Sequence, residues 1–387
     1  MKLTSIGHDR MYPPIGCAYR SYHLSKYLSN NFEVTLIGHS GAITSTKQYT
    51  IKDNFRIIEI PGLVTTALGA VGYFFTKKPL FDPLVAYFCN RSPKLLKCYL
   101  SLADTSEILV FEGCWHFPLL TNVKDSAEKL IIYDAHNVEY ISKERVYTRY
   151  IRKKLLSRIF DLEKNTCRES DIILATSKYE KELFSQLYGI ESARIRVMPN
   201  GVAIPELRNR TEKIRTILFV GGAYFANFDA AQFINNVLAH KLPDFKFKIA
   251  GRCCMAVKKP AKNVELYGFV SEEEKDKLLR TSALAINPIL HGAGMNVKML
   301  EYMAYGIPVV TTGFGARGIE YDDDKKPFVI SELEDFAVSI KELNANKELA
   351  ENVSRNAVET IRQKYEWSKV TEGIAELLIE KVREKLL

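Results

Sequence analysis

The segment 291–312 carries residue types that can hold a phosphorylated ligand. It follows an apolar, strand-like run at 284–286, and two glycines, Gly292 and Gly294, lead into a helical pattern that contains Lys298. Glycines at a helix N-terminus let backbone N–H groups approach an anion, and the helix dipole adds partial positive charge. Lys298 adds a full charge. The pattern predicts a phosphate site at the carboxyl end of a strand; a glycine-rich loop that merely caps a core helix is the alternative.

A carboxylate follows this cation at helical spacing. Glu301 lies three residues beyond Lys298 and therefore on roughly the same helix face. A carboxylate repels phosphate, but it accepts hydrogen bonds from a vicinal diol such as that of ribose. Phosphate at the helix tip and sugar hydroxyls one turn away indicate a nucleotide.

A second polar segment, 133–139, follows another apolar run at 130–133. It contains His136 between two carboxylates, Asp134 and Glu139. Such side chains at the carboxyl end of a strand form a plausible active site. The same spacing would suit metal ligands, but no further His or Cys cluster supports a metal. A structural histidine is the bland alternative.

Short apolar runs alternate with helical patterns along most of the chain. The runs lie at 32–37, 108–111, 130–133, 171–175, 216–220, 245–250, 283–286 and 308–311. Helical patterns lie at 20–28, 229–239, 272–280 and 298–305. Fully apolar runs separated by helices predict parallel sheets covered on both faces. Because the rhythm restarts after the Pro-Asn-Gly motif at 198–202, we expect an α/β protein with two doubly wound domains.

Composition narrows the classes of partner. The 387 residues carry 54 basic and 46 acidic side chains, a net charge of +8. This excess suits an anionic ligand or membrane surface, and it is too small to indicate a dedicated nucleic-acid binder. The seven cysteines include no C-x-x-C pair, so reduced thiols are expected, and the vicinal Cys253 and Cys254 are interpreted as buried side chains.

Two stretches could contact a membrane without crossing it. The N-terminus lacks a signal-peptide pattern, and no apolar run reaches the ~18 residues of a spanning helix. The apolar, aromatic stretch 63–88 suits a bilayer interface, with a core helix or a flexible loop as alternatives. The basic stretch 143–158 predicts an amphipathic helix, either docked on anionic lipid or simply solvated. The chain is expected to be cytoplasmic, with peripheral membrane contact through these stretches as one outcome.

These motifs resemble those of the GT-B-fold glycosyltransferases, most closely glycosyltransferase family 4. The most specific part is GAGMNVKMLEYMAYGIPVVTT, at 292–312. The resemblance implies two Rossmann-like, doubly wound domains that face each other across a cleft. Residues 1–199 would form the acceptor-side domain and residues 200–369 the nucleotide-sugar domain. After the aromatic turn at 365–367, a last helix at about 370–387 would pack back on the first domain.

The resemblance also implies roles for individual residues. His136 would contact the donor sugar and act in catalysis, Glu301 would hold the donor ribose, and Gly16 would belong to a first glycine-rich loop near the donor phosphate. The remaining donor-binding residues would be Gly222, Arg252, Phe269, Val270, Gly292, Gly294, Met295, Asn296 and Lys298.

The chain departs from the family pattern in three places. Ala293 stands where many members have a glutamate next to the transferred sugar, and Cys17 replaces the usual second glycine of the first loop. No Arg or Lys lies between 221 and 231, where many relatives grip the diphosphate. Lys298 and Arg252 would then supply the positive charge.

The activity that the resemblance implies is a retaining transfer of a sugar from a UDP- or GDP-sugar to an acceptor hydroxyl. The acceptor would be a glycan or a lipid-linked sugar in glycan, glycolipid or polysaccharide biosynthesis, and no cofactor or metal would be required. A sugar-nucleotide epimerase, a phosphorylase and a non-catalytic nucleotide-sugar-binding protein remain alternatives. A nicotinamide enzyme is disfavoured because no G-x-G-x-x-G follows a first strand.

Overall fold

The computed structural model describes residues 1–7, 11–12, 18–41, 43–76, 80–144, 147, 149–206, 215–292 and 294–386. The chain forms two compact units. One consists of Met1–Pro199 together with Thr371–Leu387, and the other consists of Asn200–Val370. The Pro-Asn-Gly motif lies at this division. Each unit is built on one largely parallel sheet, which confirms the predicted α/β class.

The first unit contains an eight-stranded sheet of order β3-β4-β2-β1-β5-β6-β7-β8, in which only the β3–β4 pair is antiparallel within the described residues. The strands are β1 (Lys2–Gly7), β2 (Glu33–Ser40), β3 (Lys47–Lys52), β4 (Phe55–Pro61), β5 (Ile108–Glu112), β6 (Leu130–Asp134), β7 (Ile172–Ala175) and β8 (Ile195–Val197). Its central strands are apolar and buried throughout, as expected for a sheet with helices on both faces.

The helices of this unit are α1 (Ala18–Leu28), α2 (Leu63–Thr76), α3 (Phe81–Phe88), α4 (Pro93–Ala103), α5 (Glu139–Glu144), α6 (Arg149–Glu169) and α7 (Lys178–Tyr188). Stop and start signals explain their ends. In α7, the Ser177 hydroxyl accepts the N–H of Glu180, and Gly189 ends the helix with a left-handed φ of 69°.

The second unit contains a six-stranded parallel sheet of order β11-β10-β9-β12-β13-β14. Its strands are β9 (Thr216–Val220), β10 (Lys246–Ala250), β11 (Val264–Gly268), β12 (Leu284–Asn287), β13 (Val309–Thr311) and β14 (Val329–Ile330). Its helices are α8 (Phe225–Phe233), α9 (Ala239–Lys241), α10 (Glu272–Thr281), α11 (Val297–Ala304), α12 (Phe336–Ala345), α13 (Lys347–Thr360) and α14 (Trp367–Val370). The final helix, α15 (Ile374–Leu386), belongs to the first unit, where Lys385 pairs with Asp171 at 2.5 Å.

Both sheets grow outwards from a central first strand. Strand β1 pairs with β2 on one side and β5 on the other, and β9 pairs likewise with β10 and β12. The chain therefore reverses its direction of travel between β1 and β5, and again between β9 and β12. Ligands in doubly wound folds bind at such switch points, beyond the carboxyl ends of the strands.

The helical stretch predicted at 143–158 is corrected by the structure. It is not one helix, because α5 ends at Glu144 and α6 begins at Arg149. Lys143 does not belong to an exposed basic face either: its amine pairs with Asp82 and lies 3.7 Å from Glu139. Within the described ranges, no helix combines the length and apolar character needed to cross a membrane.

Candidate functional site

A cavity of about 230 Å³ opens at the switch point of the second unit, beyond β9 and β12 and beside the start of α11. The predicted donor-site residues on its wall are Gly292, Met295, Asn296 and Lys298. The other wall residues are Tyr224, Ala226, Asn227, Ile289, His291, Val297 and Phe314. The glycine-rich loop, the helix N-terminus and the lysine thus share one concave surface.

Lys298 is the cation of this cavity. Its amine donates to Oδ1 of Asn227 at 2.5 Å and lies 4.5 Å above the ring centroid of Phe219. Burial lowers the pKa of Lys298 to about 8, because the ammonium loses solvation that these neutral partners replace only in part. Among the described residues, no carboxylate forms an ion pair with it. An anion in the cavity would supply the missing counter-charge.

Two glycines shape the loop ahead of α11. Gly292 has a φ of 143° and Gly294 a φ of 66°, values that residues with a Cβ rarely adopt. The carbonyl of Gly294 accepts a hydrogen bond from Arg317 at 2.8 Å, and Asn296 donates to the Gly315 carbonyl at 3.1 Å. The turn at 315–317 therefore fixes the loop. Ala293 lies outside the described residues.

The turn after β9 approaches the next turn closely. A Cβ on Gly251, whose φ is 97°, would lie 2.2 Å from the carbonyl oxygen of Gly221. A Cβ on Gly222 would meet nothing within 4 Å, so the backbone there faces open space. Gly222 is not on the cavity wall, but its carbonyl accepts from Asn227, the same side chain that holds Lys298.

Glu301 sits outside the cavity wall and is held by a residue that sequence analysis missed. Its Oε1 accepts from the amine of Lys275 at 2.9 Å, and Lys275 also pairs with Glu272 at 2.9 Å. Although burial opposes it, the charge of Glu301 raises the pKa of Lys275 above its usual value. No spacing rule points to Lys275, because it reaches Glu301 from another helix, α10.

The remaining predicted donor residues also lie off the cavity wall. The Arg252 guanidinium stands 5.6 Å above the ring centroid of Phe269, and that ring is 74% exposed. Val270 follows directly after it. Gly16 lies outside the described residues, so its predicted role stays a prediction.

His291 is a second wall residue that the predictions did not single out. Its Nε2 lies 3.0 Å from Oδ2 of Asp229, and its ring stacks on Phe225 at 5.0 Å. The signal for it was its place between the strand and Gly292.

The first unit carries a buried polar cluster at its own switch point. Glu112 ends β5, Asp134 ends β6, and His136 follows two residues later. Nε2 of His136 lies 3.3 Å from Oε2 of Glu112 and 3.9 Å from Oδ2 of Asp134. Ser5 and Ser21 each donate a hydroxyl hydrogen bond of 2.7 Å to Glu112, one to each oxygen.

Arg20 neutralises the second carboxylate of this cluster. It donates from Nε and Nη2 to Asp134, the shortest contact being 2.6 Å, and Nη1 donates to the Met198 and Pro199 carbonyls. Burial raises the pKa of Asp134, and the guanidinium opposes this rise. Arg20 therefore ties α1 to β6 and to the end of the first unit's main segment.

Charge balance favours a protonated histidine over a metal ion here. One ligand atom each from Glu112, Asp134 and His136 lies within 4.8 Å of the others, close enough to share an ion. The donors from Arg20, Ser5 and Ser21 already satisfy both carboxylates, however. Burial alone would lower the pKa of His136, yet the hydrogen bond to Glu112 and the charge of Asp134 raise it above 6.5.

Glu163 fixes the segment that follows His136. This buried carboxylate accepts from the N–H groups of Glu139 and Tyr140, at 2.8 and 2.9 Å. It also accepts from the hydroxyls of Tyr133 and Tyr188, at 3.0 and 2.5 Å. The first turn of α5 is thereby anchored to α6, and His136 is held just ahead of it.

We expect Glu163→Gln to destabilise the first unit by about 3 kcal/mol, because a charged acceptor of four hydrogen bonds becomes an amide whose NH₂ faces other donors. Urea unfolding followed by tyrosine fluorescence measures this. Glu182→Gln, at an exposed position of α7, is the matched control and should shift stability by less than about 0.5 kcal/mol. Equal stability of the two variants would contradict the anchoring role.

Solved structures share this architecture. Sucrose-phosphate synthase from Thermosynechococcus elongatus superimposes with a TM-score of 0.73 at 12% identity, covering 99% of this chain and all of that one. The Anabaena protein Alr3699/HepE, in complex with UDP and glucose, superimposes with a TM-score of 0.68 at 13% identity, covering 98% of this chain and all of that one. At such identities the likeness shows the fold, which is GT-B.

Two family models match the sequence. Residues 16–204 match Glycosyltransferase Family 4, and residues 214–346 match Glycosyl transferases group 1. The chain belongs to the GT-B glycosyltransferases. The first match lies mainly in the first unit of this glycosyltransferase, and the second lies entirely in the second unit.

A curated relative of this glycosyltransferase comes from Klebsiella pneumoniae. It is described as an uncharacterized 44.6 kDa protein in the cps region and is 26% identical over 172 residues. The match spans 41% of this chain and 44% of the relative's length.

The raised pKa of His136 makes the stability of this glycosyltransferase depend on pH. A protonated histidine that is favoured in the fold stabilises it fully below its unfolded pKa of 6.5, and this contribution is lost as pH rises through the higher folded value. The free energy of unfolding should therefore fall above pH 6.5 more steeply in the wild type than in His136→Gln. Parallel urea-unfolding profiles across this pH range would show that the imidazolium is not stabilised.

Proposed function

We propose that the protein transfers a sugar from a nucleotide-diphosphate sugar to an acceptor hydroxyl with retention of anomeric configuration. The observation that carries the proposal is Lys298, a buried cation with neutral partners on the wall of a cavity that the glycine-rich loop also lines. A diphosphate supplies the counter-charge that this site lacks, and the start of α11 adds its backbone N–H groups.

The donor is a UDP- or GDP-sugar in this proposal. The Anabaena structure, which holds UDP and glucose, supports UDP as the first candidate. Glu301 receives the ribose hydroxyls, and Lys275 holds its carboxylate in position. Gly222, Arg252, Phe269 and Val270 complete the donor site around the base and phosphates, and Gly16 contributes from the first unit.

In the reaction, the bond between the sugar's C1 and the diphosphate oxygen breaks, and a bond from C1 to the acceptor oxygen forms on the same face. The acceptor's proton passes to the departing phosphate. Lys298, the loop at 292–296 and the dipole of α11 stabilise the negative charge that develops on the leaving group. These groups do so without a required metal or cofactor.

His136 acts on the transferred sugar. Its Nε2 faces Glu112, and Nδ1 has no partner among the described residues, which leaves Nδ1 to donate to a sugar hydroxyl. The buried Glu112 holds the imidazole in one orientation and keeps it protonated. The ring therefore orients the sugar while the diphosphate leaves.

The acceptor and the cellular setting complete the proposal. The acceptor hydroxyl belongs to a glycan or a lipid-linked sugar, and the enzyme serves glycan or polysaccharide biosynthesis at the cytoplasmic face of a membrane. The curated relative in the cps region, matched over part of its length, is in keeping with a gene cluster for a shared biosynthetic product.

Incubation with a panel of UDP- and GDP-sugars, followed by mass spectrometry, tests the activity. One sugar nucleotide should be cleaved to its nucleoside diphosphate, and NMR of the fresh product should show the donor's anomeric configuration. Interconversion of sugar nucleotides without cleavage would identify an epimerase. Binding without turnover, with and without membranes as an acceptor source, would identify a non-catalytic protein.

A further inference from the structure

Helix α2 turns its apolar side chains outwards. Every described residue that is exposed on it is apolar, and five of these are large: Leu63 (49% exposed), Val64 (63%), Leu68 (39%), Val71 (54%) and Phe74 (68%). Its threonines lie on the other side, where Thr65 is buried and Thr66 is half-buried. This pattern is the inverse of a water-facing helix. A contiguous apolar face of this kind marks an interaction surface.

The inward side of α2 is built to pack closely on α3. A Cβ on Gly69 would lie 3.6 Å from Phe81, and one on Gly72 would lie 3.0 Å from Leu80. The glycines thus bring the two helices together, and the large side chains are left on the outer face. On α3, Tyr87 is 57% exposed, and the Arg91 guanidinium lies 4.4 Å above its ring. An aromatic ring paired with a cation is typical of a membrane interface.

Cations flank this face. The buried Val85 of α3 shares a core cluster with Leu156 and Ile159 of α6, so the hairpin of α2 and α3 adjoins α6. The exposed cations of α6 in this region are Lys153, Lys154 and Arg158. An apolar stripe bordered by cations fits an anionic bilayer surface. It fits a second copy of the chain less well, since pairing would bring like charges together.

We propose that α2 and α3 seat the enzyme on an anionic phospholipid surface and that its acceptor is a lipid-linked sugar. Helix α2 begins two residues after β4, and in a parallel sheet the carboxyl end of β4 lies at the same edge as those of β5 and β6. That edge carries Glu112, Asp134 and His136. The lipid surface and the acceptor-side cluster are therefore neighbours along one edge. The acceptor part of this proposal rests on the proposed function.

Flotation with vesicles tests the surface. The full chain should float with vesicles of phosphatidylcholine and phosphatidylglycerol, and less with phosphatidylcholine alone. Val64→Ser with Phe74→Ser should weaken partition about tenfold or more, because two exposed apolar side chains lose their burial in lipid. Val338→Ser, at a valine that is 64% exposed in the second unit, is the matched control and should leave partition unchanged.

The charge has its own arm. Lys153→Ser with Lys154→Ser should weaken binding to the anionic vesicles and leave binding to neutral ones unchanged. Absence of flotation with either lipid would overturn the proposal. Concentration-dependent dimers that Val64→Ser with Phe74→Ser abolishes, without flotation, would assign the face to a second copy instead.

The acceptor is tested with membranes from cells that make the protein. Labelled sugar from the donor should enter the lipid extracted by chloroform and methanol, and Val64→Ser with Phe74→Ser should reduce this incorporation about tenfold. Donor hydrolysis in the absence of membranes should be unchanged in that variant. Label in water-soluble glycans alone would overturn the lipid-linked acceptor and leave the transferase intact. Absence of donor cleavage would instead contradict the proposed function, whatever the vesicles show.

Discussion

Replacement of Lys298 by methionine should abolish most sugar transfer and weaken UDP binding about 10- to 100-fold, which corresponds to about 1–3 kcal/mol for a charged hydrogen bond. The physical reason is the ammonium's lack of a carboxylate partner among the described residues, so that its charge is available to a bound anion. Methionine fills a similar volume, and it removes a charge that is costly to bury. The variant should therefore be at least as stable as the wild type.

The matched control is Lys277→Met, at an exposed lysine of α10 in the same unit. It should bind UDP as the wild type does. Calorimetric titration measures both affinities, and thermal unfolding confirms that both variants fold. Wild-type binding to Lys277→Met together with unchanged binding to Lys298→Met would contradict the donor-site assignment.

The same lysine predicts a pH profile for binding. The pKa of Lys298 is about 8 in the free protein, so the amine loses its proton as pH rises above that value. A bound diphosphate needs the protonated form, and UDP affinity should therefore fall above pH 8 in the wild type. In Lys298→Met this fall should be absent.

Replacement of His136 by alanine should lower kcat about 100-fold while UDP affinity stays unchanged, because the imidazole serves the transferred sugar and not the nucleotide. Glu112→Gln should have a smaller effect, since the amide keeps a hydrogen-bonding oxygen but no longer raises the pKa of His136. Its rate should therefore decline at a lower pH than that of the wild type. Steady-state kinetics across pH measure both effects.

An exposed histidine supplies the control for this variant. His240→Ala, at the surface of the second unit, should retain full activity. A kcat of His136→Ala equal to that of His240→Ala would remove His136 from the mechanism. An unshifted profile for Glu112→Gln would reduce Glu112 to a structural role.

The sheets were predictable because their strands are apolar on both faces. Each of the eight apolar runs singled out in the sequence overlaps an observed strand, from β2 at Glu33–Ser40 to β13 at Val309–Thr311. Burial on both faces leaves no polar alternation to confuse the reading. Strands β3 and β4 escaped, since β3 is mostly exposed and carries few apolar residues.

The glycine-rich loop was predictable for a local reason, and the buried cluster was not. Gly292, Gly294 and Lys298 lie within seven positions of one another, and backbone geometry explains their types. Glu112 depends on Ser5 and Ser21, which reach it across 107 and 91 residues. The available signal was a charged residue at the end of the buried run 108–111, and it carried no indication of its partners.

The outward face of α2 shows a further limit of sequence patterns. Apolar residues at 63–75 predicted equally a core helix, a loop or an interfacial segment. Periodicity reports which residues share a face, and only packing shows which face is inside. Here the glycines on the α3 side settle it, because they allow the backbone contact that turns Val64, Val71 and Phe74 outwards.

A crystal structure of the protein with UDP tests the central claim most directly. The account predicts the diphosphate in the cavity beside α11, with an oxygen within hydrogen-bonding distance of the Lys298 amine and others facing the backbone N–H groups of the loop at 294–297. The ribose should lie against Glu301. A diphosphate bound elsewhere, with Lys298 still directed at Asn227 and the cavity without nucleotide, would contradict it.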